Sequence, residues 1–259
     1  MNTYALVTGA SKGIGRSIAL QLAKKGYSIL LVARAEDDLK TLAQDIIATY
    51  NVQAYWLAID LSAPEAVEKV KQWCTGNSYE VSVLINNAGY GLWGNFDSVD
   101  IDEQLNMINL NINTLVKLTH IFINTLKQQP QAYILNLAST AAYQAVPTLA
   151  VYSATKAFVL SFSRALRYEL KDTTVAVSCL SPGPTDTGFA HRAGLDAMAD
   201  LAEKFNMQPN EVAALGLKGM FAKKAEIVPG FLNKVSAAAG RHFNKALIEK
   251  ITGDLYKRK

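Results

Sequence analysis

A chain of 259 residues, half of them apolar, can bury one large core, so a single globular domain is the default. The formal net charge of +4 is small and no basic stripe interleaved with aromatics runs along the chain, which argues against a nucleic-acid surface. No apolar run approaches the roughly 18 residues of a membrane span, no signal-peptide pattern precedes the first element, and Cys74 and Cys179 read as two buried thiols, so a cytoplasmic protein is expected.

The first segment, YALVTGA, predicts a buried strand, and SIALQLAKKG after it predicts a helix. YSILLVAR, DDLKTLAQDIIATY and QAYWLAIDL continue as strand, helix and strand. VSVLINNAG is a fourth strand, followed by one long helical stretch from about Asp102 to Gln128. AYILNLAS, a helix carrying Tyr152 to Leu170, and TVAVSCLSPG complete the rhythm. Strands alternating with helices at this spacing predict βαβ units and a parallel sheet, an α/β domain without an internal boundary over residues 1–259. Residues 188–224 break the rhythm and are expected to form a partly helical substrate lid, with Met198, Phe205 and Met207 as apolar lining. A short strand, AEIV, and an extension over 230–259 follow.

Between the first strand and the first helix stand Gly9, Ser11, Lys12, Gly13, Ile14 and Gly15. Glycines let a backbone approach a pyrophosphate, and a helix N-terminus offers free N–H donors and a positive dipole end. A glycine cluster can be no more than a tight turn, but this strand-to-helix setting favours phosphate binding. At the end of the second strand comes Arg34, where an acid would select a ribose 2′-hydroxyl. Arg34 with Lys12 suits a 2′-phosphate, so the expected cofactor is NADP(H), unless both cations are merely solvated.

Tyr152 and Lys156 are four apart on a predicted helix and therefore share a face. A free phenol titrates near 10, and moving it to about 7 takes roughly 4 kcal/mol. A lysine charge about 4 Å away, at an effective dielectric of about 20, supplies roughly that much. The pair can serve as a tuned general acid and base. Ser139, Asn87 to Gly89 and Pro182-Gly183 end neighbouring strands, the edge at which open α/β sheets bind ligands.

With TGASKGIG, Asp60-Leu61, NNAG at 86–89, an asparagine in NLNINT, Ser139, Tyr152 with Lys156, and PGPTDT at 182–187, the chain resembles the short-chain dehydrogenase/reductase family over residues 3–190. The resemblance implies a Rossmann-like, doubly wound parallel β-sheet flanked by helices. It implies Tyr152 as proton donor or acceptor, Ser139 as a hydrogen bond to the reacting oxygen, Lys156 as partner of Tyr152 and of the nicotinamide ribose, and Asn111 holding a water that relays the proton. Asp60 and Leu61 would sit at the adenine, Asn87, Ala88 and Gly89 along the cofactor, and Pro182, Gly183, Thr185 and Thr187 near its carboxamide. The implied chemistry is hydride transfer between NADP(H) and a carbonyl or alcohol, without a metal; His120, His191 and His242 show no ligand spacing.

The ending differs from the Asp-Gly-Gly tail of many tetrameric members and is similar to that of 3-oxoacyl-type and 17-beta-hydroxysteroid-type reductases, which implies a homodimer on the long helices or a homotetramer. FNKALIEKITGDLYKRK places Phe243, Leu247, Ile248, Ile251 and Leu255 among lysines, an amphipathic helix expected to pack on its own domain rather than on an anionic membrane. Tyr90, Trp93, Phe96 and Phe189 suit an apolar ketone, aldehyde or acyl substrate. The competing readings are an NAD-dependent alcohol or hydroxysteroid dehydrogenase and a non-catalytic NADP(H) sensor.

Overall fold

The computed structural model describes residues 3–188, 193, 206–242 and 244–256. Seven parallel strands lie in the order β3-β2-β1-β4-β5-β6-β7: β1 Tyr4–Thr8, β2 Ser28–Ala33, β3 Ala54–Ala58, β4 Val81–Asn86, β5 Ala132–Leu137, β6 Val175–Leu180 and β7 Glu226–Ile227. The chain winds outward from β1 to β3 and then restarts on the other side with β4. The first crossovers leave β1 and β4 in opposite directions, and a crevice opens between their carboxyl ends.

Strand residues alternate between two cores, as a period of two requires. Ala5, Val7, Ile29, Leu31, Val83 and Ile85 face α1 (Gly13–Lys24), α2 (Glu36–Tyr50) and a later helix, α7 (Pro209–Phe221). Leu6, Leu30, Val32, Leu84, Ile134 and Val177 face α3 (Ala66–Gly76), α5 (Leu115–Lys127) and α6 (Ala150–Glu169). Both faces of the sheet are covered, so β2, β4 and β6 are buried at every position. Local signals set the helix ends. Glu36, Asp37 and Asp38 crowd the first turn of α2 against its dipole, and Asn51 closes it in the left-handed region at φ 54°. Asp100 caps α4 (Ile101–Ile108) by accepting from the Glu103 N–H at 3.0 Å.

The single long helix expected over 102–128 is instead α4, a π-helical turn over Asn109–Thr114, and α5. Inward-pointing polar side chains account for the extra residue in that turn. Asn109 donates to the Ser62 carbonyl at 2.7 Å and Thr114 to the Leu61 carbonyl at 2.8 Å, while Asn111 is buried on the side of α6.

The segment expected to be a lid up to residue 224 ends sooner. Residues 209–221 are α7, which buries Val212, Ala213, Leu217 and Met220 against the sheet and belongs to the core. Met207 lies at the segment's foot, where it pairs with Thr185 and Pro184. Phe189, His191, Met198 and Phe205 fall outside the described residues, as do Phe243 and the side chains of His242 and Leu255. Cys74 and Cys179 are free and buried, and burial pushes their thiols up to about 12 and about 11.

After β7 come α8 (Phe231–His242) and α9 (Lys245–Tyr256). The mostly buried Glu226 carboxylate ties α8 and α6 to a 3₁₀ turn, Thr140–Tyr143: it accepts from the Tyr143 hydroxyl at 2.7 Å and from Arg164 at 3.1 Å, and it pairs with Arg241. Burial, with Glu226 adding to it, pushes the Tyr143 phenol well above its ordinary range, so it remains a donor. Replacing Glu226 by Ala strands a buried hydroxyl and releases two guanidinium groups that are partly solvated already. The expected cost is about 1–3 kcal/mol, checked as a lower urea midpoint at unchanged slope.

Candidate active site

The loops at the carboxyl ends of β1 and β4 are tied through the buried Thr8 hydroxyl. It donates to the Ile85 carbonyl at 3.0 Å and accepts from the Asn87 and Ala88 N–H groups at 2.9 and 3.0 Å. The Asn87 amide completes the tie, donating to the Thr8 and Gly9 carbonyls at 2.8 and 3.1 Å. Gly9 and Gly13 have φ of 64° and 56°, which β-carbon sterics disfavour. A Cβ on Gly15 would collide with the Gly9 carbonyl, so this position needs glycine for α1 to start so close to the loop. Lys12 occupies the N-cap of α1 without a side-chain cap, and the first turn holds no acid. The loop and helix start therefore form a glycine-lined cradle with dipole and free donors suited to a pyrophosphate.

Around this cradle the other predicted groups gather. Thr187 packs on Gly13, whose ideal Cβ position lies 2.8 Å from the Thr187 Cβ. Arg34 lies 3.8 Å from Asp60 and Lys12 lies 3.5 Å from Asp38, both pairs largely exposed. Such pairs are weakly held and can be exchanged for an anionic ligand. Asp60 also accepts from the Ser62 N–H at 2.9 Å and hydroxyl at 2.7 Å, and Leu61 is buried beside it. Thr185 bridges to Met207, and Gly183 is packed so tightly against Asn233 of α8 that a Cβ would overlap its amide.

Across the crevice stand the chemical groups. Tyr152 and Lys156 lie on α6 and are both buried, with the lysine Nζ 5.8 Å from the phenol ring centroid. Lys156 donates to the Leu137 carbonyl at 2.9 Å, the last residue of β5. Ser139 follows two residues later, half-buried, and its hydroxyl accepts from the Ala141 N–H at 3.1 Å. The helix of the tyrosine and lysine and the strand end of the serine are thereby held in register through the ammonium. Tyr152 belongs to an apolar cluster with Tyr90, Trp93, Met107, Val146 and Leu149. The backbone N–H of Trp93 donates to the carbonyl of Ala193 at 2.9 Å, one link from the segment after Gly188 back to this wall. Phe96, expected in the same lining, is 63% exposed and borders a small hollow with Leu92, Met107 and Val151.

Asn111 is the buried one of the three asparagines in the π-helical turn. Its Nδ2 donates to the Tyr90 carbonyl at 2.9 Å and to the Thr155 hydroxyl at 3.1 Å, and its Oδ1 accepts from the Tyr90 N–H at 3.1 Å. Both donors of the amide are engaged by the protein. The side chain positions the Gly89-Tyr90 turn against α6. A Cβ on Gly89 would lie 2.8 Å from the Asn111 Oδ1 and 3.5 Å from the Lys156 Nζ, so glycine is what lets the three meet. Sequence reading missed Thr155, which joins Asn111 to the Tyr152 carbonyl at 2.7 Å, and the Glu226 cluster behind Ser139. Thr155 was in plain view inside YSATK; nothing in the sequence connected Glu226, Arg164 and Arg241.

Burial lowers the Lys156 pKa from its ordinary 10.5 to about 8. The unfolded chain then holds this proton more tightly than the folded one, so the fold is penalised below about pH 8 and the penalty fades as pH rises toward 10.5. Wild-type protein should therefore gain stability relative to Lys156→Met across that window. Urea midpoints of both proteins at pH 7, 9 and 10.5 check the sign.

Residues 3–198 match the family model for short chain dehydrogenases. A very-long-chain 3-oxoacyl-CoA reductase of Rattus norvegicus is 36% identical over 186 residues, 70% of this chain but 59% of the rat protein, so the matched region spans about three fifths of that relative. The 17-beta-hydroxysteroid dehydrogenase type 3 of Homo sapiens is 29% identical over 92% of this chain and 77% of its own. Among solved structures, a short-chain dehydrogenase from Sphingobium yanoikuyae in complex with NADPH superposes with a TM-score of 0.82 at 28% identity, covering 96% of this chain and 95% of that one.

Proposed function

This chain belongs to the short-chain dehydrogenase family, and from that premise we propose that it is an NADP(H)-dependent oxidoreductase interconverting an apolar ketone, aldehyde or 3-oxoacyl compound and its alcohol, with Tyr152 as general acid and base. The observation that carries the reading is the buried Lys156 ammonium, held between the end of β5 and the Tyr152 ring at the open edge of the sheet. A structural role alone gives no reason to bury a cation with one carbonyl partner next to a phenol.

The residues present fit the cofactor. The β-carbon positions of Gly9, Gly13, Gly15 and Gly89 are closed by Asn87, Thr187, the Gly9 carbonyl and Asn111, so only glycine lets these loops close up, and the uncapped start of α1 with Lys12 and Arg34 offers donors and charge for phosphates. The NADPH complex of the Sphingobium yanoikuyae protein supports the same choice. NADP(H) would supply or accept the hydride; the protein supplies position and a proton. In reduction, the Tyr152 hydroxyl gives its proton to the carbonyl oxygen while the Ser139 hydroxyl holds that oxygen. In oxidation, Tyr152 takes the proton from the alcohol and Ser139 holds the same oxygen. The Lys156 charge, 5.8 Å from the ring centroid, favours the developing phenolate by roughly 3 kcal/mol at an effective dielectric of about 20. Asn111 and Thr155 keep α6 and the Gly89-Tyr90 turn at fixed separation. The Tyr90, Trp93, Met107 and Leu149 wall supports an apolar substrate, as do the acyl and steroid compounds named for the relatives.

Tyr152→Phe should lower NADPH-dependent reduction of an apolar ketone by a thousandfold or more, while NADPH binding, followed by fluorescence titration, stays within about threefold. Retained turnover in that variant would overturn the mechanism. The NAD-dependent alternative separates on Arg34. Arg34→Asp should weaken NADPH binding by roughly one to two orders of magnitude and leave NADH binding equal or tighter, because a guanidinium–phosphate contact is lost and a carboxylate takes its place.

A further inference from the structure

The C-terminal unit exposes apolar side chains that the active site does not use. On α8, Phe231 is 78% exposed, Leu232 64% and Val235 51%. The residues that α8 buries, Ala237 and Gly240, lie on the opposite side of the helix, so the exposed three form a stripe. On α9, Leu247 and Ile251, four apart, are also half exposed, while Thr252 is buried and donates to the Ala145 carbonyl at 3.3 Å. Single exposed apolar residues are ordinary, but a Phe, Leu and Val stripe on one helix face marks a contact surface.

Charge identifies what the surface meets. Residues 229–259 hold seven basic residues, Lys234, Arg241, Lys245, Lys250, Lys257, Arg258 and Lys259, against Glu249 and Asp254, a net of +5. The whole chain has 26 basic and 22 acidic residues, so the first 228 hold 19 and 20, a net of −1. The entire positive excess thus falls in the last 31 residues of the sequence, with Lys257, Arg258 and Lys259 following the described end of α9. A second copy of the chain would bring +5 against +5, which disfavours a symmetric contact here. Among the described residues no helix is long and apolar enough to cross a membrane, and an amphipathic helix with a basic face meets a bilayer by lying on its surface.

We propose that α8 and α9 dock the protein on an anionic phospholipid bilayer, with Phe231, Leu232 and Val235 entering the interface and the lysines meeting headgroup phosphates. The docked edge adjoins the active site: Asn233 of α8 packs against Gly183, and a Cβ on Gly230 would lie 3.1 Å from the Met207 sulfur at the foot of the lid segment. An apolar carbonyl compound dissolved in the bilayer then reaches the site along this edge. That last step rests on the proposed reductase activity; the docking does not.

The test is co-sedimentation of the full chain with phosphatidylcholine vesicles, with and without phosphatidylglycerol, at low and high salt. The expected result is binding to the anionic vesicles that weakens with salt, and at least about tenfold weaker binding by the triple variant Phe231→Ser, Leu232→Ser, Val235→Ser. The triple variant should keep its unfolding midpoint and its NADPH-dependent rate on a water-soluble ketone. In a second measurement, Phe231→Trp should show a blue-shifted emission component on anionic vesicles that is absent from the wild type. Wild-type protein left in the supernatant with anionic vesicles at low salt overturns the proposal. So does a triple variant that binds like the wild type, or one that elutes as a smaller assembly on gel filtration, which would make the stripe a subunit contact. Sedimentation without turnover of any ketone keeps the docking and removes the reductase reading.

Discussion

At the point where the winding of the sheet reverses, two loops that leave in opposite directions must be held together, and one threonine hydroxyl does most of that holding. Thr8 uses its donor on β4 and accepts from two N–H groups of the NNAG loop, while Asn87 returns two hydrogen bonds to the start of the glycine loop. Buried hydrogen bonds of this kind contribute modestly one by one, but leaving any partner unmet is costly, so the set forms or fails together. From this tie follow the depth of the crevice, the start of α1, and the position of Gly89 against Asn111 and Lys156. The glycine loop and the Tyr152–Lys156 pair are thereby parts of one construction.

The second demand on the fold is a buried ammonium. Desolvation makes Lys156 easier to deprotonate, yet a pKa of about 8 still leaves it mostly charged at neutral pH. The carbonyl of Leu137 offsets part of the desolvation cost, and the neighbouring phenol ring adds a weak attraction. A second polar group, the Glu226 carboxylate, performs a comparable service behind Ser139. It gathers Tyr143, Arg164 and Arg241 from three elements and so anchors the 3₁₀ turn that follows the serine. The two clusters stand on either side of the end of β5, one fixing α6 and the other fixing α8. The working edge of the sheet is braced from both sides, and the pairs Trp93 with Ala193 and Thr185 with Met207 join it to the segment after Gly188.

Much of this was legible in the chain because local rules were sufficient. Apolar runs of strand length, a glycine loop before a helix, and a tyrosine and lysine four apart on a helix all follow from short-range geometry. Where reading failed, the competing cause was remote. A run from Asp102 to Gln128 has helical periodicity throughout, but Ser62, Leu61 and Thr155, all distant in sequence, draw its asparagines and threonine inward and open a π-helical turn. The segment after Gly188 looked uniformly like a lid, yet Pro209 starts a helix whose apolar face completes the core on the side of α1.

The sequence by itself determined the alternation of strand and helix and the edge of the sheet at which Tyr152, Lys156 and Ser139 gather, because periodicity acts over a few positions; the roles expected of those three came from the family resemblance. It also determined the charge asymmetry that sets the last 31 residues apart. Only the tertiary structure decided which asparagine is buried, that its donors are spent on Tyr90 and Thr155, that Glu226 braces the serine's turn, and which face of α8 is left to solvent. Each of those depends on which groups from separated parts of the chain come within hydrogen-bond or packing distance. That is settled when the sheet closes its order, and no local pattern encodes it.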